Sequence, residues 1–181
     1  MTTTRHYTID DVAAIEEPGR YDLIRGALIR MPPAGGNHGI YGMSLGALLW
    51  NWARETRAGI VFSADTGFVL SRDPDVLLSP DAAFVSMDRL PPEHERTSFM
   101  PIAPDVAVEI VSPPDRSSDV DAKVAEYLRA GTRLVLVVQP RMRSIAVWTP
   151  DLRARVYGEA EEVDLGDVLP GFRLRVADVF A

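Results

Sequence analysis

Apolar residues occupy almost every position between Asp105 and Ser112, in the middle of the chain. A run of this kind has no polar face and is typical of a central strand in a sheet that is covered on both sides. Glu109 interrupts the run, and a carboxylate there needs a cation, a proton or hydrogen-bond donors to offset its desolvation. A Pro-Pro turn follows, and then an amphipathic helix that opens near Ser118 and stops at Gly131. We expect the rest of the chain to be organised around this strand, turn and helix.

The N-terminal part of the chain predicts three short elements. Thr8 caps a helix that runs to residue 15. Two strands, 21–24 and 27–31, flank a tight turn that uses Gly26. Asp22 lies in the first of these strands, where a solvated carboxylate explains it at least as well as a role in a site.

A long helix is predicted from His38 to about residue 57, because its apolar residues follow a helical spacing. Asn37 can cap this helix. His38 is then either an exposed first-turn residue, which the sequence alone favours, or part of a site. Three glycines weaken the helix but allow it to approach another backbone closely: Gly39, Gly42 and Gly46.

The segment 76–85 is an apolar run that Pro80 interrupts. Proline donates no hydrogen bond to a ladder, so an unbroken central strand is disfavoured here. Asp81 therefore enters a strand at 82–85 from a bend, where its carboxylate can face a cleft; a Pro-Asp pair at an ordinary turn is the alternative. Further short strands are predicted at 59–63, 67–70, 133–139 and 144–149, with 154–157 as an edge.

Two remaining segments complete the prediction of the fold. Residues 86–104 form a loop that is long for a compact domain, and such loops serve as lids, binding segments or dimer contacts. The tail, 163–180, alternates turns with short apolar segments that close the core. We expect a single α/β domain over residues 1–181, with a mixed central sheet flanked by helices.

Composition narrows the function classes. The chain has 46% hydrophobic and 25% charged residues, which is ordinary for a soluble globular protein. It has no cysteine, which excludes disulfides, thiolate metal sites and cysteine nucleophiles. The sequence contains no signal peptide or membrane-spanning run, so we expect a cytoplasmic protein that does not interact with a membrane.

The net charge of −7 opposes a broad electrostatic footprint for nucleic acid. It does not exclude a nuclease, because carboxylates that hold metal ions are neutralised when the metal is bound.

The candidate chemistry comes from two acids and one amine. Asp81 and Glu109 occupy strand positions, and Lys123, on the following helix, is the one lysine in a chain that otherwise uses 18 arginines. One or two carboxylates suit Mg²⁺, which can generate a hydroxide and stabilise the leaving oxygen of a phosphodiester. A nearby ammonium can orient the attacking water or neutralise the phosphate. The pattern fits metal-assisted phosphodiester hydrolysis, although a single surface lysine also occurs by chance.

Several motifs, in order along most of the chain, resemble the PD-(D/E)xK nuclease superfamily, in the branch of bacterial restriction endonucleases called the Uma-two family. They are Tyr-Asp-Leu-Ile-Arg-Gly at 21–26, His38, Ser-Pro-Asp-Ala-Ala-Phe-Val at 79–85, Pro-Asp-Val-Ala-Val-Glu-Ile-Val-Ser-Pro at 104–113, the helix 123–131, and Asp-Val-Leu-Pro-Gly-Phe at 167–172. The resemblance implies a restriction-endonuclease-like fold.

The resemblance also assigns roles to residues. Asp81 and Glu109, with the backbone carbonyl of Ile110, would bind Mg²⁺ or Mn²⁺. The superfamily's lysine falls on Val111, and Lys123 from the following helix takes its place.

Two further positions match the family less closely. Asp22 stands where the family usually has Glu, and the shorter side chain puts a third acid of the metal site in question. His38 corresponds to a frequent family position and has a supporting role.

The resulting hypothesis is a Mg²⁺-dependent endonuclease that acts on nucleic acid, expected to be DNA, as a homodimer. The rival is a non-catalytic, dimeric interaction or DNA-associated module on the same fold, in which the acids and Lys123 form a structural ion pair. A glycosidase that uses Asp81 and Glu109 as an acid pair ranks far below both. The nuclease hypothesis requires residues 81, 109 and 123 to meet at the end of a buried strand.

Overall fold

The computed structural model describes residues 6–113 and 115–181. The helices are α1 (Ile9–Ala13), α2 (Gly36–Thr56) and α3 (Ser117–Arg129), with 3₁₀ turns at Glu93–Glu95 and Val176–Val179. The strands are β1 (Arg20–Ile24), β2 (Ala27–Met31), β3 (Gly59–Ser63), β4 (Phe68–Ser71), β5 (Val76–Leu78), β6 (Ala82–Ser86), β7 (Val106–Ile110), β8 (Leu134–Gln139), β9 (Ser144–Trp148), β10 (Ala154–Gly158), β11 (Glu162–Asp164) and β12 (Arg173–Arg175).

Three sheets organise these strands, and the predicted α/β fold with a mixed central sheet is confirmed. The largest has six strands in the order β10-β9-β8-β7-β6-β3, in which β7 and β8 are parallel and the other neighbours are antiparallel. Helix α3 provides the crossover that parallel neighbours require. A four-stranded sheet, β2-β1-β5-β4, and the hairpin β11-β12 complete the architecture.

Strand β7 is buried along its whole length, as its apolar run predicts. Side chains alternate between the two faces of a strand. Val108 and Ile110 belong to the core that α2 and the C-terminal tail cover, whereas Ala107 belongs to the core beneath α3. Glu109 therefore lies on the face that α3 covers, which places its carboxylate beside a helix rather than in water.

Pro80 separates β5 from β6, as predicted, and the consequence is local. Asp81 donates its backbone N–H to the Val108 carbonyl at 2.8 Å, and β6 then pairs with β7 from Ala82 onwards. Strand β7 continues past this point to Ile110, whose N–H donates to the Asp81 carboxylate at 2.8 Å. A side chain thus replaces a strand partner at the end of β7.

Helix α2 differs from the prediction at two points. Its N-cap is Gly35, in extended conformation, so Asn37 lies inside the first turn and does not cap the helix. Of the three glycines Gly39, Gly42 and Gly46, only Gly42 lies close to another element, as we expected for all three. A Cβ atom added at Gly42 would lie 3.4 Å from the Ile110 Cδ1 atom. At Gly39 and Gly46 an added Cβ would meet nothing within 4 Å, because both face outwards.

Candidate active site

A cavity of about 680 Å³ opens where the start of α2, the end of β7 and the first turns of α3 meet. Its polar lining includes every residue that the sequence nominated as a metal ligand or amine, together with others: Arg20, His38, Asp81, Glu109, Ile110 and Lys123. A larger cavity, of about 1030 Å³, lies across the segment 31–34 and shares Arg20 with the first. We place the candidate site in the smaller cavity, because the paired acids and the amine line that one.

Lys123 connects two carboxylates from different sheets. Its Nζ atom lies 2.7 Å from Asp22 Oδ2 and 3.3 Å from Glu109 Oε2, and its side chain is 13% exposed. Burial alone would lower the pKa of Lys123, but the charges of Glu109 and Asp22 outweigh burial and raise this pKa above its ordinary value. The ammonium is therefore charged throughout the physiological range.

Lys123 contacts two acids, Asp22 and Glu109, and the negative charge of Glu109 is the less completely offset of the two. Its Oε1 atom accepts a hydrogen bond of 2.8 Å from the Tyr127 hydroxyl, and its Oε2 atom faces Lys123. Burial raises the pKa of Glu109 to about 7; the charges of Asp81 and Asp22 act in the same direction, and Lys123 and Tyr127 oppose them. One ammonium is shared by two carboxylates, so Glu109 has no full counter-charge of its own.

Asp22 is fully buried and is no solvated strand carboxylate. Its Oδ1 atom accepts a hydrogen bond of 3.0 Å from the Ser79 N–H, while Oδ2 contacts Lys123. Asp22 is shorter than the Glu that the family usually has at this position, but it still connects to Glu109 through the Lys123 amine.

Asp81 sits at the mouth of the cleft between α2 and β7. His38 Nε2 lies 3.2 Å from the Asp81 Oδ2 atom that also accepts the Ile110 N–H. This contact raises the pKa of His38, against the effect of burial. Arg20 approaches the other carboxylate oxygen at 3.8 Å and donates to the Ser79 carbonyl at 2.8 Å.

The structure thus brings His38, Asp81, Glu109 and Lys123 together in one cleft, with Asp22 buried behind Lys123, and it adds two residues that the sequence did not nominate. Tyr127 lies one turn after Lys123 on the same helix face, a spacing that signals proximity. Arg20 lies two residues before Asp22, which puts both on one face of β1.

Helix α3 divides its polar residues between two neighbourhoods. Asp119, Lys123 and Glu126 are spaced i, i+4 and i+7, which puts them along one side of the helix. Glu126 pairs with Arg25 of the β1–β2 turn at 2.8 Å and with Arg129 at 2.7 Å.

The donor set of the cleft fits a hard divalent cation. Among residues 6–113 and 115–181, no three His, Cys, Asp or Glu side chains are grouped to hold a metal ion. Mg²⁺, however, binds through one or two carboxylates and completes its shell with other oxygens. Asp81 and Glu109 supply the carboxylates. The Ile110 carbonyl lies on the same side of β7 as its N–H, which meets Asp81, because the two groups of one strand residue point the same way.

Comparisons with known proteins show the family and the fold of the chain. The model of the Uma2 (Uma-two) family, described as putative restriction endonuclease, matches residues 8–177. The chain is also similar to a crystal structure described as a putative nuclease belonging to DUF820 from Anabaena variabilis ATCC 29413. The two share a TM-score of 0.85 and 21% identity, over 96% of this chain and 97% of that one. At that identity the likeness establishes the fold. No curated protein matches the sequence.

Proposed function

Because the chain belongs to the Uma2 family of putative restriction endonucleases, we propose that it is a Mg²⁺-dependent endonuclease that hydrolyses phosphodiester bonds in DNA. One observation carries the proposal: the Lys123 ammonium contacts Glu109 in the same cleft in which Asp81 binds the next residue of β7. An acid pair and an amine at the uncovered end of a buried strand are the parts that phosphodiester hydrolysis needs.

In this proposal Asp81, Glu109 and the Ile110 carbonyl would hold the metal ion. The bound ion would supply a hydroxide nucleophile near neutral pH and stabilise charge on the leaving oxygen. Lys123 orients the attacking water and neutralises charge that develops on the phosphate. Because metal ligands must be deprotonated, Glu109, whose pKa burial raises to about 7, would have to lose its proton to act as one.

The surrounding residues position this machinery. Asp22 holds the ammonium at 2.7 Å, and Tyr127 fixes the orientation of the Glu109 carboxylate. His38 orients Asp81, and Arg20 offers a cation at the mouth of the cleft for a phosphate oxygen.

Nicking of supercoiled plasmid DNA tests the proposal, with Mg²⁺ or Mn²⁺ and with chelator as the blank. We expect nicking by the wild type and its loss in Lys123→Met, which keeps the length of the side chain but removes the charge. Glu126→Gln is the matched control, because it alters a partly buried ion pair three residues along the same helix. A wild type that does not nick DNA over a range of salts, or equal activity in Lys123→Met, would contradict the proposal.

A non-catalytic, dimeric interaction or DNA-associated module is the second candidate, and one observation favours it. Each carboxylate oxygen of Asp22 and Glu109 already has a partner within the chain. Titration calorimetry with Mg²⁺ or Mn²⁺ separates the two candidates. The endonuclease predicts binding by the wild type that Glu109→Gln abolishes, whereas the module predicts no binding by either protein.

A further inference from the structure

The outward face of α2 is largely apolar over most of the helix. Between Gly36 and Ala53 the helix contains no Asp, Glu, Lys or Arg. Three large apolar side chains on it are nevertheless exposed: Met43 by 71%, Ile40 by 52% and Trp50 by 48%. Contiguous exposed apolar surface on a soluble protein marks a place where another surface docks.

Glycines alternate with the large residues on this face. Gly39, Met43, Gly46 and Trp50 are spaced by four, three and four residues, so they form one stripe along the helix. Each interior glycine costs the helix up to about 1 kcal/mol relative to alanine. Gly42 has a use within the protomer, since it packs on Ile110, but the space over Gly39 and Gly46 is open. We call these four residues the α2 stripe.

We propose that the α2 stripe binds the α2 stripe of a second copy of this chain, with the two helices antiparallel. A two-fold axis between positions 44 and 45 places Met43 against Gly46 of the partner subunit. The same axis places Trp50 against Gly39 of the partner subunit. One register thus seats both large side chains in the open spaces over glycines, as a self-complementary two-fold interface requires.

Charge also favours a second copy over an unrelated acidic or basic partner. Two chains of net charge −7 repel each other, and this repulsion is weakest where the contact itself carries no formal charge. The first formal charge in sequence after the stripe is Arg54, whose guanidinium lies 5.0 Å from the centre of the Trp50 ring. An apolar centre with a cation at its rim is the usual composition of a protein interface.

The proposed pairing of the two α2 helices sets the distance, along the helix axes, between the candidate active-site clefts of the two subunits. His38, which contacts Asp81, lies alongside Asn51 of the partner subunit, so the two His38 residues are about 20 Å apart along the helix axes. The interface does not depend on the nuclease proposal, and its test needs no activity.

Sedimentation over a series of protein concentrations tests the interface, with Met43→Glu against Met142→Glu. Met142 is exposed by the same 71% but lies in the β8–β9 turn, so it is the matched control. We expect a dimer whose dissociation constant rises at least about tenfold in Met43→Glu and stays unchanged in Met142→Glu. A wild type that remains monomeric, or equal effects of the two substitutions, would overturn the proposal.

Disulfide trapping tests the register, because the chain has no cysteine of its own. Mixing Met43→Cys with Gly46→Cys under oxidising conditions should give a disulfide-linked heterodimer, since a disulfide needs Cα atoms within about 7 Å. Mixing Met43→Cys with Met142→Cys provides the background. Equal yields from the two mixtures would show that the proposed register is wrong, even if the protein is a dimer.

Discussion

One buried carboxylate, that of Asp105, lies just before strand β7, and another, that of Glu109, lies within the strand. Different partners offset the negative charges of these two groups. Asp105, just before the strand, accepts a hydrogen bond of 2.8 Å from the Ser86 N–H and lies 2.8 Å from Arg89 Nη1. Glu109, near its end, receives the Tyr127 hydroxyl and shares Lys123 with Asp22.

The difference separates a structural acid from a candidate functional one. Asp105 has a guanidinium and an amide for itself, so its charge is matched inside the chain. Glu109 has part of one ammonium and faces two further acids, so its charge is matched only when a proton or an external cation is added. Burial alone does not mark a site; an unmatched charge in a cleft does.

The largest expected effect is on activity. Glu109→Gln removes a proposed metal ligand and should lower the rate of plasmid nicking on the order of 1,000-fold, equivalent to about 4 kcal/mol of transition-state stabilisation. Asp105→Asn changes a carboxylate of the same strand and should leave the rate per folded molecule unchanged. Similar losses in both variants would break the comparison.

The next effect is on the pH dependence of stability. Burial raises the pKa of Glu109 from its ordinary value of 4.5 to about 7, so the folded state binds more protons than an exposed glutamate would between these values. The free energy of unfolding should therefore fall as pH rises from 4.5 to 7, by up to about 3 kcal/mol.

Urea unfolding of the wild type and of Glu109→Gln measures this dependence. The raised pKa of His38 contributes a change of the same sign, because that stabilisation is present below pH 6.5 and is lost as pH rises further. The difference between the two curves therefore isolates Glu109. Parallel curves would refute the assignment.

A smaller effect concerns stability at pH 8, where the two acids should respond in opposite directions. Asp105→Asn leaves Arg89 without its counter-charge and should destabilise the fold by about 2 kcal/mol. The figure is at the low end for a buried pair, because the Arg89 side chain is 35% exposed. Glu109→Gln should be neutral or stabilising, because it removes an under-compensated charge. Chemical denaturation at pH 8 gives both values.

The smallest effect comes from Tyr127→Phe. This substitution removes a hydrogen bond that favours the charged form of Glu109, so the pKa of Glu109 rises further. The acidic limb of the nicking rate should move to higher pH by roughly half a unit, with a small loss of stability. A shift towards lower pH would contradict the proposed role of the phenol.

Local sequence patterns were enough to predict the central strand β7 and three of the residues that meet in the cleft, Asp81, Glu109 and Lys123. The apolar run identified β7, Pro80 identified the break before β6, and the uniqueness of Lys123 pointed to the amine. Each of these signals comes from a few consecutive residues or from the number of residues of one type in the chain.

Contacts between distant elements could not be predicted in this way. Lys123 reaches Asp22 only because β1 of the smaller sheet packs against α3, and no local pattern encodes that packing. Likewise, the sequence indicated that Glu109 needs a partner, but the amount of compensation depends on burial and on three neighbouring charges.

The late start of β6 has a consequence for how a ligand would meet the cleft. Asp81 is anchored through its amide to Val108, and its carboxylate is held by the amide of Ile110, so its position is set by the sheet and not by a mobile loop. A surface that is already ordered loses little conformational entropy when a ligand arrives. Folding therefore already orders the Asp81 carboxylate, and binding of a ligand would not have to order it again.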